Sequence, residues 1–245
     1  MHRLITRYRR RIGLATGIHL RLKRYTASAS DGLRLAKLIN HKGIDCVVDI
    51  GANKGQFAEQ LFDFGYKGRV ISFEPTIEAH KLLEAKAKKN KNWIIAKRCA
   101  IGDEKVTTKI NVSHNSVFSS ILQINKNQID NAASSGVDHT EEVEVFPLDD
   151  VIANYIDVRH CNLLLKIDTQ GYEYQVLMGA KATLEHVKGL AIEIPLFHIY
   201  EGVAFDFYSA VNWLKQNGFY PYSFKNEGVN YSTGRVNTID GVFFK

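Results

Sequence analysis

The 245-residue chain is 45% hydrophobic, enough for one sizeable α/β domain with a full core, and no apolar run approaches the length of a membrane-spanning helix. Its net charge of +6 is localised: residues 1 to 30 carry Arg3, Arg7, Arg9, Arg10, Arg11, Arg21, Lys23 and Arg24 and no acid, so +6 less these +8 leaves −2 for the rest. A nearly neutral body argues against a long nucleic acid held across its face, and three widely spaced cysteines, Cys46, Cys99 and Cys161, show neither metal-ligand spacing nor a disulfide framework and read as core residues of a cytoplasmic protein.

Residues 1 to 30 mix Leu and Ile with Arg at the spacing of a basic amphipathic helix. This segment is either an extra solvated helix on the domain or a peripheral attachment to an anionic membrane surface or a partner. A secretion signal does not fit, because the apolar stretch Ile12 to Leu20 contains His19 and runs into Arg21 and Lys23 where a small-residue cleavage site belongs. The domain proper is expected over residues 31 to 245. Ser30 and Asp31 cap a helix with apolar Leu33, Leu35, Leu38 and Ile39 that ends before Gly43. Ile44 to Ile50 is nearly all apolar, as in a strand covered on both faces.

The run Val47-Val48-Asp49-Ile50-Gly51-Ala52-Asn53-Lys54-Gly55-Gln56-Phe57-Ala58 turns from that strand through glycines into a helix. In the dinucleotide fingerprint a second glycine lets a pyrophosphate approach the backbone. Asn53 stands in that place here, and its side chain would crowd a diphosphate. A nucleoside cofactor without phosphates, S-adenosylmethionine (SAM), fits better, with Gly51, Asn53, Gly55, Gln56 and Phe57 around its amino-acid portion and Asp49 meeting its ammonium group directly or through water. The plain alternative is a tight turn that needs glycine only for positive φ.

Further along, the helix Gln56 to Phe64 buries Phe57, Leu61 and Phe64, and Gly68 to Pro75 is a second strand ending in Glu74. A helix from Ile77 to about Asn90 presents Lys81, Lys86, Lys88 and Lys89 as a solvated face, and Trp93 to Ala100 is a third strand. This alternation argues for right-handed crossovers and a parallel sheet. A loop-rich insert follows from about 104 to 147: Thr107 to Val112 alternates like an exposed strand, Ser113 to Gly136 is polar, and Glu141 to Phe146 alternates again. Inserts of this kind often carry substrate contacts. Parallel-strand signal returns in Asn162 to Asp168, then a helix with Val176, Leu177, Ala180 and Leu184 inward, a strand Gly189 to Pro195 and a helix from about Phe205 to Asn217. Phe219 to Phe224 and Thr238 to Phe244 can pair as a hairpin that closes the sheet with an antiparallel strand.

Glu74, at a strand end, can accept hydrogen bonds from two ribose hydroxyls, and Pro75, Ala100 and Ile101 lie where an adenine would be held. Asp103 either joins them or only starts a turn. Alternation places Leu164, Lys166 and Asp168 on one face of the fourth strand and Leu163, Leu165 and Ile167 on the other. A buried ammonium at Lys166 requires a partner, and Asp168 is the obvious one. Because ligands of open α/β sheets bind beyond the carboxyl ends of the strands, both groups belong near the reacting centre unless they form a purely structural ion pair.

The sequence resembles the FkbM-type SAM-dependent methyltransferases in Val48 to Gly55, in Ser72-Phe73-Glu74-Pro75, and above all in Leu165-Lys166-Ile167-Asp168-Thr169-Gln170-Gly171-Tyr172-Glu173 with Val176 to Ala180. The resemblance runs from about Asp31 to the C-terminus. It implies a Rossmann-like class I methyltransferase fold, a seven-stranded, mostly parallel sheet with one antiparallel strand and helices on both faces, and O-methylation of a hydroxyl on a sugar, polyketide or other metabolite. The family often has glutamate before the glycine, where this chain has Gln170. The resemblance also implies that Ser116, Ser119 and Ser120 in the insert line the pocket.

Transfer to an alcohol needs alignment and a base for the hydroxyl proton. The candidates are Asp168, Glu173, Glu193 and His198, with Lys166 beside Asp168; Glu173 is expected to begin its helix and order Lys166 or the substrate, and His198 to contact the acceptor. No ligand spacing demands a metal. The leading function is SAM-dependent O-methylation of a sugar, glycan or small-metabolite hydroxyl, with lipid-linked or surface polysaccharide suggested by the basic N-terminus. The rivals are a nucleic-acid methyltransferase, a noncatalytic module of the same fold and, more weakly, an NAD dehydrogenase. The chain lacks the Asn-Pro-Pro-aromatic signature that amino-group enzymes place after the fourth strand.

Overall fold

The computed structural model describes residues 26–125, 136–230 and 232–245. The basic segment read over 1 to 30 therefore lies, up to residue 25, outside the described residues, as does the polar stretch 126–135 of the insert.

In chain order the elements of the main body are α1 (Asp31–His41), β1 (Cys46–Ile50), α2 (Gln56–Asp63), β2 (Arg69–Phe73), α3 (Ile77–Ala87), β3 (Trp93–Ile95), α4 (Leu148–Val151), β7 (Leu163–Ile167), α5 (Glu173–Met178), α6 (Lys181–His186), β8 (Val187–Pro195), α7 (Phe207–Gln216), β9 (Tyr220–Val229) and β10 (Val236–Phe244). Between β3 and α4 stand the three insert strands, β4 (Ala100–Ile101), β5 (Val106–Ser113) and β6 (Val137–Phe146). The main sheet has the order β3-β2-β1-β7-β8-β10-β9. Strand β10 runs antiparallel to both neighbours and the other six are mutually parallel, as expected from the sequence.

The alternation read along the fourth strand decides the two layers. Leu163, Leu165 and Ile167 face a core completed by Val176, Leu177 and Leu184 from α5 and α6 and by Ala210 and Leu214 from α7. Leu164 faces the opposite core with Ile39 of α1, Ala58 and Leu61 of α2 and Leu83 of α3. Ser30 caps α1 by accepting from Leu33 N at 3.3 Å, the start signal read from the sequence.

Three expectations are corrected. The third strand does not run to Ala100: β3 ends at Ile95, and the chain leaves the sheet through Lys97 and Arg98, whose charges cannot enter a buried strand. Lys97 N instead donates to Tyr155 Oη at 2.9 Å and Arg98 Nη1 to the Pro75 carbonyl at 2.7 Å, so that Ala100 and Ile101 arrive beside β6. The insert is less irregular than read, because Val137 to Val145 pairs antiparallel with β5 through one register shift and Val145 and Phe146 pair parallel with β4, forming a second sheet of order β4-β6-β5. The helix after residue 173 is broken into α5 and α6 at Gly179, where a Cβ would overlap the Gly102 carbonyl oxygen. The insert hairpin is tied to the main body by Glu141, whose carboxylate accepts from Ile77 N at the start of α3 (2.8 Å).

Candidate active site

The carboxyl ends of β1, β2 and β7 meet at the loop after β1. Gly51 N and Ala52 N donate to the Phe73 carbonyl at 3.1 and 3.0 Å, and Asp168 N donates to the Ile50 carbonyl at 3.1 Å. Gly51 has φ 75°, and a Cβ there would overlap the Asp168 carbonyl oxygen, so the close approach of the two strand ends requires glycine. Asn53 is also left-handed, with φ 49°. Its N–H donates to Glu74 Oε2 at 2.8 Å, and its side-chain oxygen accepts from Ser116 Oγ of the insert at 3.0 Å.

Glu74 is held from three sides. Besides Asn53 N, its carboxylate accepts from Thr76 N at 2.9 Å and Thr76 Oγ1 at 2.6 Å, and burial pushes its pKa above the ordinary value while these bonds pull it back. It stands at one end of a slot walled by Phe73, Ala100, Ile101 and Tyr172, with Pro75 and Thr76 beside it and Ser116, Ser119 and Ser120 reaching over from the insert. Asp103, in contrast, is exposed and does not line the slot.

Beneath the loop lies a buried charge pair. The register of β1 on β7 sets Asp49 beside Lys166, whose Nζ is 3.1 Å from Asp49 Oδ1, 3.4 Å from Asp168 Oδ2 and 3.2 Å from the Gly51 carbonyl. Ser72 Oγ donates to Asp49 Oδ2 at 3.3 Å and accepts from Trp93 Nε1 at 3.0 Å. Lys166 therefore has the expected partner Asp168 and a nearer one that the sequence reading assigned elsewhere. Asp49 is fully buried under the loop and faces none of the open space, because its carboxylate is turned inward to the ammonium. Asp49 lines neither the slot nor the hollow beside it, whereas Asp168, with its side chain 40% exposed, lines both.

After β7 the chain makes a tight turn through Gln170 (φ 56°) and Gly171 (φ 97°). Glu173, at the first turn of α5, accepts from Thr169 N at 2.9 Å and Gly171 N at 3.0 Å, so it orders the turn itself and does not touch Lys166. Burial lifts its pKa to about 7, opposed by those backbone bonds. The folded carboxyl binds a proton more tightly than the unfolded one, so this group makes stability fall as pH rises from about 4.5 to about 7. Glu173→Gln should flatten that part of the slope when urea midpoints are compared between about pH 5 and pH 7. An unchanged slope would assign the proton to another group.

A second hollow, of about 500 Å³, opens on the other side of the same loop. It shares Gly51, Asn53, Val117 and Asp168 with the slot and is lined further by Gln56, Phe57, Glu193, Ser223, Lys225 and Asp240. Glu193 and Asp240 face each other across β8 and β10.

The family model described as "Methyltransferase FkbM domain" matches residues 49–221, which is most of the chain. The chain belongs to the FkbM methyltransferase family. No curated protein matches it. Among solved structures this FkbM domain is similar to TehB from Haemophilus influenzae, at 14% identity and a TM-score of 0.48, covering 88% of this chain and 61% of that one. It is also similar to magnesium protoporphyrin IX methyltransferase from Synechocystis PCC 6803 with bound SAM, at 8% identity and a TM-score of 0.48 over 89% and 80% of the two chains. A third likeness is to precorrin-6y C5,15-methyltransferase from Geobacter metallireducens GS-15, at 12% identity and a TM-score of 0.41 over 86% and 88%.

SAM is the cofactor of the FkbM domain, and the slot suits it on its own chemistry. Its walls are apolar where a base would lie, its buried carboxylate at Glu74 suits vicinal hydroxyls, and Gly51 lines it with backbone alone. Gln56 and Phe57 face the second hollow, whereas Gly55 lines neither space. Gly55 has φ 84°, and a Cβ there would strike the Trp93 ring, so its role is to start α2.

His198 is not brought to the FkbM cleft. It is exposed, its Nε2 is 3.1 Å from the Phe205 carbonyl, and it lines a separate shallow hollow with Asn125, Phe197 and Asp206. Its flanking residues turn the chain outward after β8, which removes it from the candidate bases. The sequence reading passed over Asp240 and Tyr200. An acid interrupting the apolar run Thr238 to Phe244 was a usable signal for Asp240; nothing local marks Tyr200. Among the described residues no group of three or more His, Cys, Asp or Glu side chains could hold a metal ion, and no helix is long and apolar enough to cross a membrane.

Proposed function

We propose that this FkbM domain methylates a hydroxyl of a sugar, glycan or small metabolite. The observation that carries the reading is the second hollow: it adjoins the cofactor slot through Gly51, Asn53 and Asp168, and its carboxylates, Asp31, Asp168, Glu193, Glu227 and Asp240, outnumber its two lysines, Lys166 and Lys225, beside neutral hydrogen-bonding groups and one aromatic ring, Phe57. Acids there repel a phosphate backbone and suit polyhydroxylated ligands, which disfavours a nucleic acid.

Within this reading Glu74 holds the ribose hydroxyls, Pro75, Ala100 and Ile101 pack on the adenine, and Gly51, Asn53 and Gln56 border the amino-acid portion. When bound, SAM supplies an electrophilic methyl carbon: the hydroxyl oxygen's electron pair forms the new C–O bond while the C–S pair returns to sulfur, leaving a neutral thioether. The protein aligns the acceptor, excludes water and receives the hydroxyl proton on a carboxylate. Lys166 keeps Asp168 in place, and the Asp49 beneath keeps Lys166 in place. The basic residues 1 to 30 support peripheral contact with an anionic membrane surface, which co-sedimentation with anionic liposomes at low salt tests.

The deciding experiment incubates the protein with methyl-labelled SAM and fractionated cell extract. Label should enter glycan or small-metabolite fractions and should be lost with Asp168→Asn. Label in RNA or protein would overturn the hydroxyl reading, and calorimetry showing no SAM binding would point to a noncatalytic module.

A further inference from the structure

At the tip of the turn between β7 and α5, Gln170 adopts a left-handed backbone that glycine would adopt more easily. Its side chain accounts for its presence. The single amide nitrogen Nε2 donates to Asp168 Oδ1 at 2.7 Å and to Glu193 Oε2 at 3.0 Å, and Oε1 accepts from the Tyr200 hydroxyl at 2.9 Å. The backbone carbonyl accepts from Ser120 Oγ at 2.7 Å. Two carboxylates need donors and a phenol offers one, so the amide satisfies all three neighbours in one orientation only.

The two carboxylates are not equivalent. Asp168 has the Lys166 ammonium at 3.4 Å, whereas Glu193 has no ion pair among the described residues. Glu193 is faced by Asp168 and Glu173 from the turn and α5, by Asp240 and Thr238 from β10, and by Tyr200 after β8; the nearby Lys225 is engaged with Glu227 and Asp240. Burial and the neighbouring acids push the Glu193 carboxyl well above the ordinary glutamate value. That is the direction which strengthens a carboxylate as a base.

We propose that Gln170 is a positioning residue that holds Asp168 and Glu193 as two separately hydrogen-bonded carboxylates in the acceptor cleft, leaving Glu193 to receive the hydroxyl proton. The oxygen keeps the O–H electron pair for its bond to carbon, and the proton ends on the Glu193 carboxylate. The second half of the proposal rests on the hydroxyl reading above; the clamp itself does not. It also explains why a glutamine can stand at this position: a third carboxylate would face two others with no donor to offer them unless it were protonated.

The test is a carboxyl-labelled NMR titration of the full chain, with the Glu193 resonance assigned by Glu193→Gln. Gln170→Asn keeps a residue that tolerates the left-handed turn but shortens the amide by one methylene, and should raise the Glu193 midpoint by about one pH unit. Gln170→Glu, which replaces the donor by an acid of the same shape, should raise it further. A residue that only shapes the turn would change the melting temperature and leave the midpoint where it was, and that result in a folded Gln170→Asn would overturn the proposal. Tyr200→Phe, which removes only the hydroxyl that orients the amide, should give a smaller rise and serves if the Gln170 variants fail to fold; no rise there counts against the clamp in the same way. The titration needs no acceptor. Its failure would remove the role of Gln170 and leave the acceptor to the labelling experiment, whereas label in RNA or protein would remove the hydroxyl reading and leave the clamp standing.

Discussion

Lys166→Met is expected to cost about 3 to 5 kcal/mol of stability, the range for a buried charge stripped of its partner. Asp49 is fully enclosed between β2 and β7, and without the ammonium its carboxylate keeps only the Ser72 hydroxyl at 3.3 Å. Adding Asp49→Asn to Lys166→Met removes the orphaned charge, so the double variant should recover much of the loss in urea unfolding. A single variant within about 1 kcal/mol of wild type would mean that the pair holds nothing together. The pH dependence has a definite sign. Burial opposes the Lys166 charge, but Asp49 and Asp168 more than offset it and raise its pKa above the ordinary lysine value. The stabilisation is therefore complete below the unfolded lysine pKa and is lost as pH rises through the raised one, a loss that Lys166→Met should not show.

Gly51→Ala is the second large expected effect, and it falls on activity. An L residue at φ 75° costs about 1 to 2 kcal/mol in backbone energy alone. The new Cβ would also overlap the Asp168 carbonyl oxygen, which can yield only if the ends of β1 and β7 part. That movement shifts the Asp168 carboxylate and the floor of the cofactor slot together, and a displacement of about 1 Å is enough to lower transfer about 100-fold. SAM affinity measured by calorimetry should fall with it. Gly43→Ala is the matched control, since Gly43 also has positive φ, 65°, but has no atom within 4 Å of the added Cβ. It should show the conformational cost and unchanged SAM binding. Equal behaviour of the two variants would refute the close-approach argument.

How much of this was legible in the sequence depended on whether the deciding contact was local. The Gly-x-Asn-x-Gly turn, the Ser30 cap and the alternation of Leu163 to Asp168 are short-range patterns, and the structure has them where they were read. The partner of Lys166 was legible only in part: Asp168 is two residues away on the same strand, but Asp49 is more than a hundred residues distant and becomes a neighbour through the parallel register of β1 and β7. The same limit applies to Asp240, which meets Glu193 only through antiparallel pairing. The third strand was overextended because Trp93 to Ala100 has enough apolar residues to mask the Lys97-Arg98 break. His198 was misplaced for a different reason. A suitable intrinsic pKa says nothing about direction, and the chain after Pro195 carries that ring away from the cleft.

The hydroxyls of Ser116 and Ser120 cross from the insert to Asn53 and Gln170 over the cofactor slot, and the same insert pairs with the segment after β8 through Asn125 N to Ile199 O and Glu201 N to Gln123 O. Their consequence is one of linkage: the loop after β1, the turn between β7 and α5 and the segment after β8 each lose a hydrogen-bond partner if the insert is displaced, so a change in the insert is felt on three sides of the slot.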